Sequence, residues 1–298
     1  MEDRKTWLEV SLNGPWGRDR QPGIPVTVEE IVDQGIACSK AGAAIVHVHA
    51  YDEATGKPKE DAEVYARIIE GIRGGSDAIV YPTIPILGMP PFPKDGPAAE
   101  RFSTTEALAR RGLLEWAAVD PGSVNFAYYD ELREDVEGFV YTNPEDHIRH
   151  ALTLARRFRF HPAFAIYEPG FARMGATLHW RCSCPAPIYR FMFSSGYTFG
   201  FPPADYALTA YLKLLDQVAP GAQWMIGGLA VDVLPMIART VMEGGHVRVG
   251  LEDAPLGSER SNLQWVEAAA QAITDAGGEL ATPKDIRELM EAIEMGDG

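Results

Sequence analysis

Strand-like runs alternate with helix-like runs along the whole of this 298-residue chain. That alternation leaves few architectures open, because strands separated by helical crossovers pair in parallel. Residues 7–13, 43–50, 78–85, 116–126, 161–168, 189–195, 223–229 and 246–253 read as strands, eight in all. The second holds Ala43-Ala44-Ile45-Val46-His47-Val48-His49, almost continuously apolar, as a strand covered on both faces must be. Helix starts fill the intervals. Thr27-Val28-Glu29-Glu30 has the form of a capping box, and Asn143-Pro144-Glu145 places a cap before a first-turn proline. Ser261 precedes a helical stretch at 262–275, and Thr282-Pro283 opens one further helix. The pattern predicts an α/β fold: a (β/α)₈ TIM barrel with an extra C-terminal helix, residues 1–298 forming one domain. Such barrels commonly take about 250 residues before loop insertions. The proline-rich segment 87–101 then belongs at the C-terminal face, where barrels build their sites.

His47-Val48-His49 is the feature that carries chemistry. Side chains alternate along a strand, so these two imidazoles point the same way, into the barrel mouth. Two histidines and one carboxylate with a position left open describe a catalytic zinc site. Arg248-Val249-Gly250-Leu251-Glu252-Asp253 ends the eighth strand, which closes the barrel near the first. Glu252 can complete the ligand set of His47 and His49. Asp253 points elsewhere and suits a base, and Arg248 can pair with a carboxylate or hold Asp253. The competing reading is a salt-bridge cluster at a strand end. His161 and His246 begin their strands, at the wrong end for the site, and His179 falls in a loop or helix end. All three are expected to be structural or solvated.

The formal net charge of −15 argues against nucleic acid or an anionic membrane as partner, while local positive charge can still hold an anionic small molecule. No run approaches the roughly 18 uncharged apolar residues that span a bilayer. Met1-Glu2-Asp3-Arg4-Lys5 offers no apolar signal-peptide core, so a cytoplasmic location is expected. Cys38 lies in an amphipathic helical pattern and is expected in the core. Cys182-Ser183-Cys184 has no second cysteine pair and is expected to hold reduced thiols.

Three segments resemble the β-keto acid cleavage enzyme family, whose founding activity is 3-keto-5-aminohexanoate cleavage. They are residues 27–52, Asp120-Pro121-Gly122-Ser123-Val124-Asn125-Phe126, and Gly244-Gly245-His246-Val247-Arg248-Val249-Gly250-Leu251-Glu252-Asp253. The resemblance implies a zinc-dependent barrel enzyme, a CoA-dependent acyltransferase, often a homotetramer. It would convert a β-keto acid and acetyl-CoA into acetoacetate and a new acyl-CoA by a Claisen and retro-Claisen route. It implies zinc ligands at His47, His49 and Glu252, an acid–base pair at Arg248 and Asp253, and substrate contacts at Thr83 and Asn125. A metal chelated by the ketone and carboxylate would stabilise the enolate left by proton loss. Asp253, near a free pKa of ~4, is a weak base in water, and a dry site can raise it.

The chain also departs from the family's pattern. Where relatives carry Thr-Gly-Gly after the third strand, it has Thr83-Ile84-Pro85, which keeps a hydroxyl and loses a glycine nest for the substrate carboxylate. Where relatives that take an amino substrate carry carboxylates, it has Trp16 and, in strand five, Ala165. Both changes disfavour a primary amine. Trp16 is expected as a wall of the substrate site that could face a quaternary ammonium, as in dehydrocarnitine. Two rival readings stand beside this one: a zinc hydrolase of the amidohydrolase type, and a metal-binding barrel without turnover.

Overall fold

The computed structural model describes residues 5–296. Eight parallel strands form one sheet: β1 (Leu8–Ser11), β2 (Ile45–Val48), β3 (Ile79–Pro82), β4 (Trp116–Ala118), β5 (His161–Ile166), β6 (Ile188–Phe193), β7 (Trp224–Gly228) and β8 (His246–Val249). Their spatial order is β3-β2-β1-β8-β7-β6-β5-β4. The first and last strands of the chain are therefore partners, with Glu9 opposite Arg248. The sheet curls on itself until β3 and β4 stand side by side, with no hydrogen-bonded ladder between them among the described residues. The result is a nearly closed TIM barrel. Helices Val28–Lys40, Ala62–Gly75, Ser103–Arg110, Glu145–Phe158, Pro169–Cys182, Asp205–Val218, Ile237–Met242 and Asn262–Asp275 follow the strands in turn. Pro283–Gly296 is the additional C-terminal helix. Among the described residues no helix is long and apolar enough to cross a membrane. The leader reading rests on Met1-Glu2-Asp3-Arg4, which lie outside the described residues.

The capping boxes at Thr27 and Ser261 form, each with its side chain accepting from the third helical N–H and the partner side chain reaching back. Cys38 is fully buried, and burial pushes its thiol up to about 12. Two local expectations fail. Residues 116–126 are not one strand: β4 ends at Ala118, and Val124–Phe126 pairs antiparallel with Phe139–Tyr141 as a separate ribbon. Pro121 has no N–H to continue a ladder, so the chain is free to leave the barrel there. Asn143 does not cap the next helix. Its side chain bonds the Gly122 carbonyl and accepts from buried Arg101, and Pro144 takes the cap position without a side-chain bond.

The barrel interior is layered. At the N-terminal end Trp7 stacks on His246 at 4.1 Å between ring centres and meets Trp116 edge-on at 5.8 Å. His246 also accepts the Trp7 backbone N–H through Nδ1. That aromatic plug explains His246 as a packing residue. Above it lies an ionic layer of Glu9, Tyr81, Arg190 and Arg248, and above that the open mouth.

β8 leads into the site through Gly250, whose φ of 137° falls where side chains are strained. An added Cβ would lie 2.2 Å from the Ser11 carbonyl oxygen. The close approach of β1 to this turn lets Glu252 and Asp253 follow at the rim. Gly250→Ala is expected to destabilise the protein by at least about 2 kcal/mol in chemical denaturation. An unchanged midpoint and slope would contradict this role.

Candidate metal centre and substrate cavity

β2 aims His47 into the mouth, and His49 follows just past its end on the same side. Asn13 holds that end in place: its side chain accepts the His49 N–H and donates to the His49 carbonyl. Glu252 comes from the turn after β8. Its Oε2 lies 3.4 Å from His47 Nε2, and its Oε1 lies 3.2 Å from His49 Nε2. The candidate ligand atoms of the three residues all lie within 4.8 Å of one another, and the side chains are buried. Ligands about 2.0–2.1 Å from a tetrahedral zinc stand roughly 3.3–3.4 Å apart. Both imidazole–carboxylate spacings are close to that length, each to a different oxygen of Glu252.

Charge state and electrostatics fit as well. Burial holds the His47 pKa well below its usual value, so its imidazole is neutral and able to ligate. Burial pushes Glu252 upward, but Arg248, His49 and His47 outweigh it and keep the carboxyl well below its usual range. Glu252 Oε2 has no hydrogen-bond partner among the described residues despite its burial. A buried, ionised, unpartnered carboxylate oxygen calls for a cation. The contiguous ionic cluster of Glu9, Glu252, Asp253, Arg190 and Arg248 contains three acids and two guanidinia, a net single negative charge when all are ionised. A dication would offset that excess.

A cavity of about 240 Å³ opens over the triad. His47, His49, Glu252, Arg248, Thr83 and Trp16 all line it, as does Ala165 from β5. Asn125 does not: it is exposed on the antiparallel ribbon, while its neighbour Phe126 faces the cavity. Asp253 is buried but lies behind Arg248, away from the lining. Arg248 grips it with two bonds, Nε to Oδ2 at 2.9 Å and Nη2 to Oδ1 at 2.8 Å. Burial raises the Asp253 pKa, with Arg248 pulling the other way.

Trp16 is more than a wall. Its indole N–H donates to the Glu252 carbonyl at 2.8 Å, so it braces a candidate ligand's backbone. Arg20 already lies over its ring, 5.4 Å from the centroid. On that face Arg20 holds the place a quaternary ammonium would take. Trp16→Phe is expected to weaken metal binding about tenfold, the low end for an outer-shell partner. Competition with a fluorescent chelator measures it, and wild-type affinity would remove the brace.

Several site residues escaped sequence reasoning. Glu9, completely buried, accepts from the Tyr81 hydroxyl at 2.6 Å and pairs with Arg190 at 3.2 Å and Arg248 at 3.0 Å. Asp120 lines the cavity, accepting from the Tyr141 hydroxyl and the Ala165 N–H. Their signal was present: lone charges inside or just past apolar parallel strands must find buried partners. Of the remaining histidines, His161 contacts the Ala186 carbonyl and His179 the Cys184 carbonyl, both away from the lining.

Comparison with known proteins decides the family. Residues 5–291 match the family model described as beta-keto acid cleavage enzyme. The chain belongs to this family. Its relatives include a 3-dehydrocarnitine:acetyl-CoA trimethylamine transferase from Rhizobium meliloti, 25% identical with 97% of each chain covered. A 3-keto-5-aminohexanoate cleavage enzyme from Fusobacterium nucleatum is 26% identical over 92% of each chain. A 3-oxoadipate:acetyl-CoA acetyltransferase from Cupriavidus necator is 26% identical, covering 95% of this chain and 93% of its own. Among solved structures, apo ObcA superposes with a TM-score of 0.70 at 14% identity, covering 91% of this chain and 66% of that one. That likeness speaks for the fold. The protein is thus an enzyme of the β-keto acid cleavage family, and its relatives differ from one another in the keto acid they take.

Proposed function

We propose that this enzyme transfers the acyl part of a β-keto acid to CoA, using acetyl-CoA and releasing acetoacetate, with a divalent metal, zinc, held by His47, His49 and Glu252. The observation that carries the reading is the triad's spacing in a buried cavity beside the Arg248–Asp253 pair. When bound, the dication supplies Lewis-acid polarisation of the substrate's keto and carboxylate oxygens.

The rest falls to the chain's own side chains. The substrate's C2 must lose a proton. Arg248 faces the cavity and Asp253 stands behind it, so the proton passes through the guanidinium: Arg248 gives an N–H proton to Asp253 as it takes the one from C2. The carbanionic C2 attacks the acetyl carbonyl carbon, and CoA thiolate leaves. The thiolate then attacks the original ketone carbon, and the C2–C3 bond breaks to give acyl-CoA and the enolate of acetoacetate, which takes back the proton held on Asp253 by way of Arg248. The Thr83 hydroxyl, just past β3 in the cavity lining, donates to the substrate.

The substrate chain is proposed to be uncharged. The wall that would receive it is built from Phe126, Phe139, Tyr141, Tyr167, Tyr197 and Leu229. The carboxylate at that wall, Asp120, has both oxygens engaged by Tyr141 and Ala165. A primary ammonium would give up most of its hydration among these rings, with Asp120 already shared between two donors, so 3-keto-5-aminohexanoate is expected to be a poor substrate. Competition between that acid and a neutral β-keto acid of equal length tests this, and preference for the amine would overturn it.

We further propose that residues 1–298 work as one unit, cytoplasmic and tetrameric. The exposed apolar strip of Tyr129, Leu132, Val136, Phe139 and Val140 supports association. Light scattering should give about four times the 32.6 kDa chain mass.

A further inference from the structure

Two arginines line the cavity, and the structure uses them unequally. Arg248 spends its donors on Asp253, Glu9 and Glu252, the last at 3.1 Å. Arg190 spends one nitrogen, Nη1, on Glu9 and the Tyr81 hydroxyl. Its Nη2 has a single long contact, 3.5 Å to the Ala163 carbonyl, and its Nε has no partner among the described residues. Yet Arg190 is 3% exposed. A guanidinium offers five N–H donors in a fixed fork and cannot be neutralised in a protein. Leaving part of that fork unpaired in a buried site is costly unless a ligand completes it.

The same region lacks something. The turn after β3 is Thr83-Ile84-Pro85, so no pair of glycine N–H groups is available there for a carboxylate, and Pro85 has no N–H at all. Tyr81, which Arg190 contacts, sits on β3 two residues before Thr83 and packs against His47 at 4.7 Å between ring centres. The under-used guanidinium therefore lies beside both the candidate metal site and Thr83.

We infer that Arg190 is the substrate-binding residue that receives the β-keto acid's carboxylate from the floor of the cavity, with Thr83 as its partner at the rim. Glu9 and Tyr81 hold the guanidinium through Nη1, which leaves Nη2, with its single long contact, as the donor for the ligand. This assignment rests on the proposed reaction, because a β-keto acid is the ligand it anchors. It makes this chain dependent on a side-chain charge for a task that a backbone nest would otherwise perform.

The test compares two probes on the metal-loaded enzyme by calorimetry: acetoacetate, which carries the carboxylate, and acetylacetone, which keeps the β-dicarbonyl and lacks it. Arg190→Met should lose acetoacetate affinity on the order of a hundred-fold while acetylacetone binds as before. Arg190→Lys keeps charge without the fork and should fall between. In turnover, the loss should sit in KM for the keto acid with KM for acetyl-CoA unchanged. Equal loss for both probes would show a merely structural role and overturn the assignment. So would undiminished acetoacetate binding in Arg190→Met, and in that case the proposed reaction survives. If the wild type binds neither probe, the reaction fails first and the assignment with it. Should Arg190→Met not fold, the acetoacetate-to-acetylacetone ratio in Arg190→Lys decides alone.

Discussion

Replacing His47 or His49 with alanine is expected to remove the metal while leaving the barrel folded. Each histidine supplies one of three candidate ligands, and the remaining two cannot enclose a dication. Affinity should fall by more than about a hundred-fold, beyond what an outer-shell partner contributes. The fold should persist because both residues sit at the C-terminal rim, whereas the aromatic plug of Trp7, Trp116 and His246 closes the other end. Loss of the cation leaves Glu252 ionised beside an empty place, but Arg248 still pairs with it at 3.1 Å. Elemental analysis after dialysis, with circular dichroism as the folding control, measures both parts. Near-stoichiometric metal in either variant would remove the triad from the site.

Asp253→Asn should leave the metal bound and stop the chemistry. The amide keeps the size of the carboxylate and cannot take a proton, so the route from C2 through Arg248 has no terminus. General acid–base groups contribute about 10²–10⁴-fold, and exchange of the substrate's C2 proton with deuterated solvent should slow by that much. The exchange reads proton removal alone, before acetyl-CoA takes part. Asp253 is 2% exposed and held by two bonds from Arg248 and one from the Gly228 N–H, so the variant changes charge more than shape. Wild-type exchange would mean that another group removes the proton.

The sequence carried most of the frame and the brightest part of the site. Eight apolar runs became eight barrel strands, though each run was read longer than the ladder that forms, because strand ends here continue as buried loop. Two-residue periodicity placed His47 and His49 on one face, and it holds. The spacing of Glu252 from Arg248 could not reveal that Arg248 would touch both Glu252 and Asp253, since that depends on the turn at Gly250. The ribbon of Val124–Phe126 with Phe139–Tyr141 was invisible because its second strand is short and half exposed. Glu9, Tyr81, Arg190 and Asp120 come from four different strands or strand ends, and only closure of the barrel brings them together. Each looked like an isolated polar residue in an apolar run. Trp16 was legible as a wall, but its bond to the Glu252 carbonyl joins residues 236 positions apart.

The most direct test follows the acetyl group. Metal-loaded enzyme is incubated with acetyl-CoA labelled with carbon-13 in both acetyl carbons and with an unlabelled, uncharged β-keto acid, and the products are resolved by mass spectrometry. The proposed reaction predicts both labelled carbons in acetoacetate, on the ketone side, and an unlabelled acyl-CoA formed in equal amount. Labelled acetate with no new thioester, cleavage of the keto acid without CoA, or binding without any product would contradict it.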